Sequence, residues 1–338
     1  MTAHPELRQD AVSGDWILVA PSRGWHISKF MNTHRQHPIP RARCPFENPQ
    51  ENGNGEAFLW YSKKGAETGP VRPDWILQVI KNKYPAVEKH AGTCPAAHAH
   101  GFYHKMAGIG FHEVVISRSH TKFLCDMTPQ EAELVIHAYQ ERIVHHAKEP
   151  CLAYVLVFHN HKEAAGATIW HPHSQIIALP IIPPDVRRSL DGAQHFWRTR
   201  HTCVHCEIIR WESAQKERVI HRNKEFIVIA PFASHVNFEM RIFPIAHASR
   251  FEEIKPQSRL FFADALTVAL KRLKKVLKDP AFNFFIHTAP HERGKFDFYH
   301  WHLEILPKTQ HLAGVELGTG IEFIAMPPEE AARYLRNA

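Results

Sequence analysis

The sequence predicts an α+β fold that is built from two copies of one unit. First, short runs of β-branched and aromatic residues, which favour strands, alternate with two long segments of helical spacing. Second, one order of features occurs twice: a loop with metal-binding residue types, strands, a Pro-Gln pair that opens a helix, and a His-x-His pair. Third, His171 lies 51 residues after His120, and His300 lies 53 residues after His247. An internal duplication explains all three observations.

The first half, which we place at residues 1–185, contains several strands and one helix. The strand segments are apolar and are bounded by turn residues such as glycine and proline. The helix begins after Thr128, its N-cap, because Pro129 suits the first helical position and Glu131 completes a capping box. It runs to about His146. The predicted strands cover 15–21, 75–80, 111–117 and 152–158.

The second half, residues 186–338, repeats this order after a proline-rich break. Pro256 and Gln257 open a helix that runs to about Lys278 with apolar residues at helical spacing. A His-x-His pair at His300 again precedes apolar residues and a proline. The predicted strands cover 225–231, 238–247, 282–286 and 299–307.

The composition excludes several classes of protein. With 338 residues, of which 44% are hydrophobic and 22% charged, the chain is long enough for one large or two ordinary globular domains. No apolar run approaches the roughly 20 residues of a membrane span, and the N-terminus lacks the blocks of a secretory signal. We therefore expect a cytoplasmic protein with no membrane partner. The net charge of +7 is spread along the chain, which favours a phosphorylated small substrate over nucleic acid.

The histidines and cysteines of the chain indicate metal binding and phosphoryl chemistry. The chain has 28 histidines, a residue that binds metals and takes part in proton and phosphoryl transfer. Its six cysteines do not suggest a disulfide scaffold in the expected compartment. The spacing of Cys203 and Cys206 suits a metal site, with a pair of inert thiols as the alternative.

Each half offers four candidate metal ligands: two close in sequence, a histidine at a strand end, and the first histidine of the His-x-His pair. In the second half they form a Cys₂His₂ set, which suits tetrahedral zinc. In the first half a carboxylate stands where a second thiolate would be expected. Ordinary buried cysteine and histidine are the alternative in both halves. The first set is Cys44, Glu47, His120 and His171, and the second is Cys203, Cys206, His247 and His300.

The pair His171 and His173 combines two tasks. In extended backbone both side chains project from one face, so a metal on His171 would leave His173 free for chemistry. A neutral imidazole is a competent nucleophile toward phosphorus, and Gln175 is placed to donate to a phosphoryl oxygen. Thr168 and the small-residue loop 164–167 offer a hydroxyl and backbone amides to a phosphate. The residues alone leave three roles open for His173: nucleophile, metal ligand and structural residue.

The stretch His171-Pro172-His173-Ser174-Gln175 resembles the active-site signature of the galactose-1-phosphate uridylyltransferase branch of the histidine-triad superfamily. In that signature His-Pro-His is followed by a small residue and glutamine. The likeness extends over most of the chain. It includes the Trp16 strand with Arg23, the segment 82–86, Asn160, Gly166, both His-x-His pairs and the duplicated order.

The resemblance implies a duplicated histidine-triad-like fold, with antiparallel sheets and helices packed on them. It implies ping-pong transfer through a covalent nucleotidyl-His173, with Gln175 holding the phosphoryl group, and a homodimer. It also implies structural zinc in the first half and often a second metal in the other half, where iron is an alternative. There His287 and His302 match ligands of some members, but we prefer Cys203 and Cys206 and take these histidines as pocket residues. The implied substrate-binding residues are Arg23, Asn82, Lys83, Asn160, Gly166, Thr168, Ser174 and His302.

Ser174 bears on the substrate. The usual uridylyltransferase has glycine there, whereas a serine resembles the branch that includes the plant ADP-glucose phosphorylase, as does the segment 314–320. The first hypothesis is uridylyl transfer between a nucleotide sugar and a sugar 1-phosphate. The second is adenylyl transfer to phosphate or sulfate, of the ADP-glucose phosphorylase or adenylylsulfate:phosphate adenylyltransferase type. The third is a zinc-stabilised nucleotide-binding protein without turnover.

Overall fold

The computed structural model describes residues 4–21, 26–31, 39–89, 94–291 and 294–338. Within these ranges most strands join one antiparallel sheet of eleven strands. Its first-half strands are β3 (Ala57–Ser62), β4 (Gly65–Glu67), β5 (Leu77–Lys81), β8 (Phe111–Ser117), β9 (Tyr154–His161) and β10 (His173–Leu179). Its second-half strands are β11 (Val219–Arg222), β12 (Phe226–Ile229), β13 (Met240–Pro244), β14 (Phe282–His287) and β15 (His302–Pro307).

The strand order of this sheet confirms the duplication. The order is β11-β12-β13-β15-β14-β9-β10-β8-β5-β3-β4, so β14 and β9 pair at the centre. Reading outward from β9 gives β10, β8, β5 and β3, and reading outward from β14 gives β15, β13, β12 and β11. The two halves therefore have the same strand order when each is read outward from the centre of the sheet. Because the sheet runs continuously across them, the boundary at residue 185 stays a prediction.

Two long helices cover one face of the sheet. The helices of the described chain are α1 (Pro129–His146), α2 (Pro184–Arg200), α3 (Val204–Gln215), α4 (Pro256–Leu277), α5 (Gly314–Thr319) and α6 (Pro328–Arg336). Helices α1 and α4 pack against each other, and their apolar residues share one core cluster with β9 and β14. The predicted capping box of α1 is confirmed: Thr128 Oγ1 accepts from Glu131 N, and the Glu131 carboxylate accepts from Thr128 N. None of the described helices is long and apolar enough to cross a membrane.

A small sheet joins the two chain ends to the second half. It consists of β1 (Glu6–Gln9), β2 (Trp16–Val19) and β16 (Glu322–Ile324), and β16 pairs with β2 in parallel. Two ion pairs hold it: a partly buried pair of Arg8 with Glu329 at 2.8 Å and a buried pair of Arg241 with Asp10 at 3.2 Å. The sequence predicted the β2 strand but neither β1, which lies just before it, nor β16, which lies about 300 residues away.

Away from the main sheet, a hairpin of β6 (His98–His100) and β7 (Tyr103–Lys105) is exposed. Near it the structure contains a disulfide between Cys94 and Cys151, at the end of α1, although the sequence predicted no disulfide scaffold. The two cysteines are 57 residues apart, and their proximity depends on the tertiary path of the chain, which spacing does not reveal.

Candidate active site and metal centres

His173 presents one free nitrogen to the open face of the sheet. Its Nδ1 lies 2.7 Å from the carbonyl oxygen of His171. Because a carbonyl can only accept, Nδ1 carries the proton and Nε2 keeps its lone pair. Burial lowers the pKa of His173 below its ordinary value, and the bond to the His171 carbonyl opposes this shift. The edge of the Phe46 ring, with centroids 5.3 Å apart, holds the imidazole in place.

Gln175 lies two residues further along β10, on the same face as His173. Its Oε1 is 2.9 Å from Nε2 of His112 and 3.4 Å from Nδ2 of Asn82. The sequence predicted Asn82 but not His112. The signal that could have found His112 is its register on β8, where it faces Ile177 beside Gln175 on the neighbouring strand.

Asn160 is held by the neighbouring strand β14. Its Oδ1 accepts from Asn283 Nδ2 at 2.8 Å. The NH₂ group of Asn283 also donates to the carbonyl oxygen of Ala165 at 2.8 Å. Gly166 follows with φ of 92°, a left-handed conformation that favours glycine. Asn160, Ala167 and His173 line one small cavity, so the loop lies beside the candidate nucleophile.

The remaining predicted substrate residues lie at the surface or outside the described chain. Thr168 is exposed on the same loop, and the exposed Lys83 donates from Nζ to the carbonyl of Asn52 at 3.3 Å. Arg23 lies outside the described residues.

Ser174 corrects an expectation. Its side chain lies on the opposite face of β10 from His173 and is 3% exposed, because side chains alternate along a strand. There its hydroxyl is 2.5 Å from Tyr139 Oη and 3.0 Å from His159 Nδ1. Ser174 thus connects the strand to α1, and its side chain does not lie on the face of β10 that holds His173 and Gln175.

The predicted ligands of the first half lie close together: the candidate ligand atoms of Cys44, His120 and His171 are within 4.8 Å of one another, and Glu47 lies against the two histidines. Cys44 Sγ is 3.4 Å from His171 Nδ1, and Glu47 Oε1 is 2.7 Å from His120 Nδ1 and 3.9 Å from His171 Nδ1. Both histidines donate from Nε2 to backbone carbonyls, His120 to Ile39 and His171 to Ser117. Their Nδ1 atoms are therefore acceptors that point at one centre.

A cation fits this centre. Among the described residues, Glu47 Oε1 and His120 Nδ1 are buried, lie 2.7 Å apart and have no hydrogen-bond partner apart from this contact. Two lone pairs held this close repel each other unless a proton on His120 Nδ1 or a metal cation lies between them. With a thiolate, a carboxylate and two imidazoles, the donor set suits zinc.

The second-half ligands repeat this geometry. The candidate ligand atoms of Cys203, Cys206, His247 and His300 all lie within 4.8 Å of one another. Cys206 Sγ is 3.3 Å from His247 Nδ1 and 3.5 Å from His300 Nδ1. His300 donates from Nε2 to the carbonyl of Pro244 at 3.0 Å, which again leaves Nδ1 as the acceptor. Sulfur and imidazole ligands in this number are typical of a structural zinc site.

His302 lies in a separate cavity of the second half, of about 390 Å³, whose lining includes none of His173, Gln175 and Asn160. Its candidate ligand atom lies within 4.8 Å of those of His287 and Glu304. In the single chain His302 and His173 thus line different cavities, because each His-x-His pair lies in its own half of the sheet. The assignment of His302 as a substrate-binding residue stays a prediction.

The chain is similar in sequence to proteins of a known family. A family model described as "Galactose-1-phosphate uridyl transferase, N-terminal domain" matches residues 2–183. An ADP-glucose phosphorylase from Arabidopsis thaliana is 32% identical over 337 residues, which are 98% of this chain and 93% of that protein. The chain belongs to the galactose-1-phosphate uridyl transferase family.

A second relative and a solved structure agree with this assignment. A galactose-1-phosphate uridylyltransferase from Thermotoga maritima is 27% identical over 78% of this chain and 85% of that protein. The crystal structure of an ADP-glucose phosphorylase from Arabidopsis thaliana with bound ADP-glucose superimposes with a TM-score of 0.81, at 30% identity over 99% of both chains. The predicted family and the α+β fold are confirmed, and so is the prediction of a nucleotidyl-transferring enzyme.

Proposed function

We propose that this chain is a nucleotidyltransferase that works in two half-reactions through a covalent nucleotidyl-His173. The observation that carries the proposal is the contact between His173 Nδ1 and the His171 carbonyl. It leaves Nε2 as a lone-pair nitrogen on the face that also holds Gln175, beside the Gly166 loop.

The chemistry of each half-reaction balances without an added base. Nε2 attacks the α-phosphorus of a nucleotide sugar, the bond from this phosphorus to the bridging oxygen breaks, and the sugar 1-phosphate leaves with that electron pair. The ring becomes a cation, and the His171 carbonyl stabilises it through the proton that stays on Nδ1. An acceptor phosphate oxygen then attacks the same phosphorus and releases the neutral imidazole.

We propose a structural zinc in each half, held by Cys44, Glu47, His120 and His171 and by Cys203, Cys206, His247 and His300. Iron is the alternative at the second site. In the first half the metal would fix His171, whose carbonyl orients the nucleophile. The buried contact of Glu47 Oε1 with His120 Nδ1 supports this assignment.

Two donor classes remain as candidates. Uridylyl transfer from a nucleotide sugar to a sugar 1-phosphate follows the family name. Adenylyl transfer to phosphate or sulfate is favoured by the match to a protein named ADP-glucose phosphorylase along 98% of the chain. In both, Arg23, Asn82, Lys83, Asn160, Gly166 and Thr168 remain the proposed substrate contacts.

A panel of donors and acceptors tests the function. We expect ADP-glucose or UDP-glucose to release glucose 1-phosphate when phosphate, sulfate or galactose 1-phosphate is supplied. The active pair identifies the donor and the acceptor. Release from no donor with any acceptor, by a chain that binds nucleotide, would support the binding protein without turnover instead.

The homodimer and the cytoplasmic location stay predictions. The disulfide between Cys94 and Cys151 is a feature more typical of oxidising compartments. Sedimentation of the purified protein measures the first prediction, and fractionation of the source cells measures the second.

A further inference from the structure

The backbone sets the tautomer of His112. Its Nδ1 lies 3.1 Å from the amide nitrogen of Ala86. A backbone N–H can only donate, so Nδ1 accepts, and the neutral ring carries its proton on Nε2. That Nε2 lies 2.9 Å from Oε1 of Gln175. His112 therefore donates to Gln175.

Asn82 is oriented in the same way. Its Oδ1 accepts from the backbone N–H of Tyr84 at 2.9 Å. Its NH₂ group is then turned toward Gln175 and His112: Nδ2 lies 3.4 Å from Gln175 Oε1 and 3.2 Å from His112 Nε2. Because both of these nitrogens carry protons, the second contact is not a hydrogen bond, and both groups can donate only to Oε1. Two N–H donors, each fixed by a backbone amide of the segment 82–86, thus meet the oxygen of Gln175.

We propose that His112 is a positioning residue that fixes the Gln175 amide with its NH₂ group toward the reacting phosphoryl group. The inference rests on the proposed function, because it takes Gln175 to hold a phosphoryl oxygen. If the Gln175 amide turned over, its NH₂ group would meet the N–H of His112, donor against donor. The oxygen is therefore held inward, and the NH₂ donors are available on the face shared with His173.

The second half lacks this arrangement. There Glu304 lies two residues after His302, as Gln175 lies two residues after His173, and its carboxylate is 3.0 Å from the guanidinium of Arg241. A carboxylate has no donor to offer to a phosphoryl oxygen. The oriented donor is thus found in the half with the proposed nucleophile.

Rapid-quench labelling tests the proposal. Wild type, His112→Phe, Gln175→Met and the double variant are mixed with ADP-glucose and with UDP-glucose labelled at the α-phosphorus. We expect His112→Phe to lower the maximal rate of labelling by roughly 10- to 100-fold, because an oriented donor to a developing oxyanion contributes about 100-fold or more. The donor concentration for half-maximal rate should change by less than about 3-fold.

The double variant provides the sharper readout. If His112 acts through Gln175, the double variant labels about as slowly as Gln175→Met alone, since the two losses do not multiply. The control is His195→Phe, the same substitution at an exposed histidine of α2, which should label like wild type.

Four outcomes would overturn the inference. If His112→Phe labels at the wild-type rate, His112 has no positioning role. The same follows if the losses of labelling rate in the two single variants multiply in the double variant. If His112→Phe does not fold, His112→Gln, which keeps an amide donor, is expected to label faster than Gln175→Met, and equal rates contradict the proposal. A wild type that no donor labels refutes the proposed function as well, which separates that failure from the other three.

Discussion

At the scale of single residues, Ser174 shows how a substrate candidate becomes a structural one. Tyr139 donates to its hydroxyl, so the serine proton goes to Nδ1 of His159. All three residues are buried, at 3% exposure or less. Burial lowers the pKa of His159 well below its ordinary value, so the ring is neutral and able to accept this bond.

We expect Ser174→Ala to lower the free energy of unfolding by about 1–3 kcal/mol, because it leaves two buried polar groups unpaired. Urea denaturation measures the loss. Adding Tyr139→Phe should cost less than the sum of the two single losses, since the hydroxyl has already lost its partner. Additive losses would show that the two groups are independent.

The roles of single residues could be predicted where they follow from the alternation of side chains along a strand. They could not be predicted where they depend on a contact between distant strands. The period of two on β10 places His173 and Gln175 on one face. The same period places Ser174 on the other face, yet the likeness to a family signature drew it into the predicted site. His112 was missed because its contact with Gln175 depends on the pairing of β8 with β10, which the sequence does not encode locally.

At the scale of elements, the sequence predicted the N-cap, the first residue and the capping box of α1, and the structure contains all three. We expect Thr128→Ala to lower the free energy of unfolding by about 1 kcal/mol, because Glu131 N loses its capping acceptor. The control is Thr199→Ala on α2, whose hydroxyl bonds only carbonyls within its own helix, and we expect a change within about 0.5 kcal/mol. Equal losses in the two variants would contradict the capping role.

The ion pair between His235 and the strand β16 gives a pH dependence. Burial alone would lower the pKa of His235, but its bond to Glu322 at 2.8 Å and the charge of Glu239 raise it to about 9. An unfolded histidine titrates near 6.5. The stabilisation is therefore fully present below about pH 6.5 and is lost as the pH rises to about 9.

We expect His235→Gln to be less stable than wild type by on the order of 2 kcal/mol at about pH 6 and nearly equal to it at about pH 9.5. Urea denaturation at both pH values measures the difference. His195→Gln on α2 serves as the control, with no such trend expected. A difference that grows with pH would contradict the sign of this linkage.

At the scale of the whole molecule, the duplication was readable because each half repeats spaced, chemically distinctive residues. The strand order of the eleven-stranded sheet, which is the same in each half, confirms the duplication. The pairings of β14 with β9 and of β16 with β2 were not predicted, because each joins segments more than 100 residues apart. The duplicated plan thus keeps two similar ligand sets but only one His-x-His pair followed by glutamine.

The two metal centres give a whole-chain prediction. We expect the protein purified without chelator to hold zinc in both halves, as measured by elemental analysis. Cys44→Ser should lose the first-half metal and reduce labelling of His173, whereas Cys203→Ser should lose only the second-half metal and keep most of that labelling. A metal content unchanged in both variants would contradict the ligand assignment.

The most direct test of the central claim is to find the nucleotidyl group on the protein. After the donor is mixed with wild type and the reaction is quenched, peptide mass spectrometry should show one nucleotidyl group, labile to acid, on the peptide that contains His173. Supplying the acceptor should remove it, and His173→Asn should never acquire it. Turnover without any adduct, or an adduct undiminished in His173→Asn, would contradict the account.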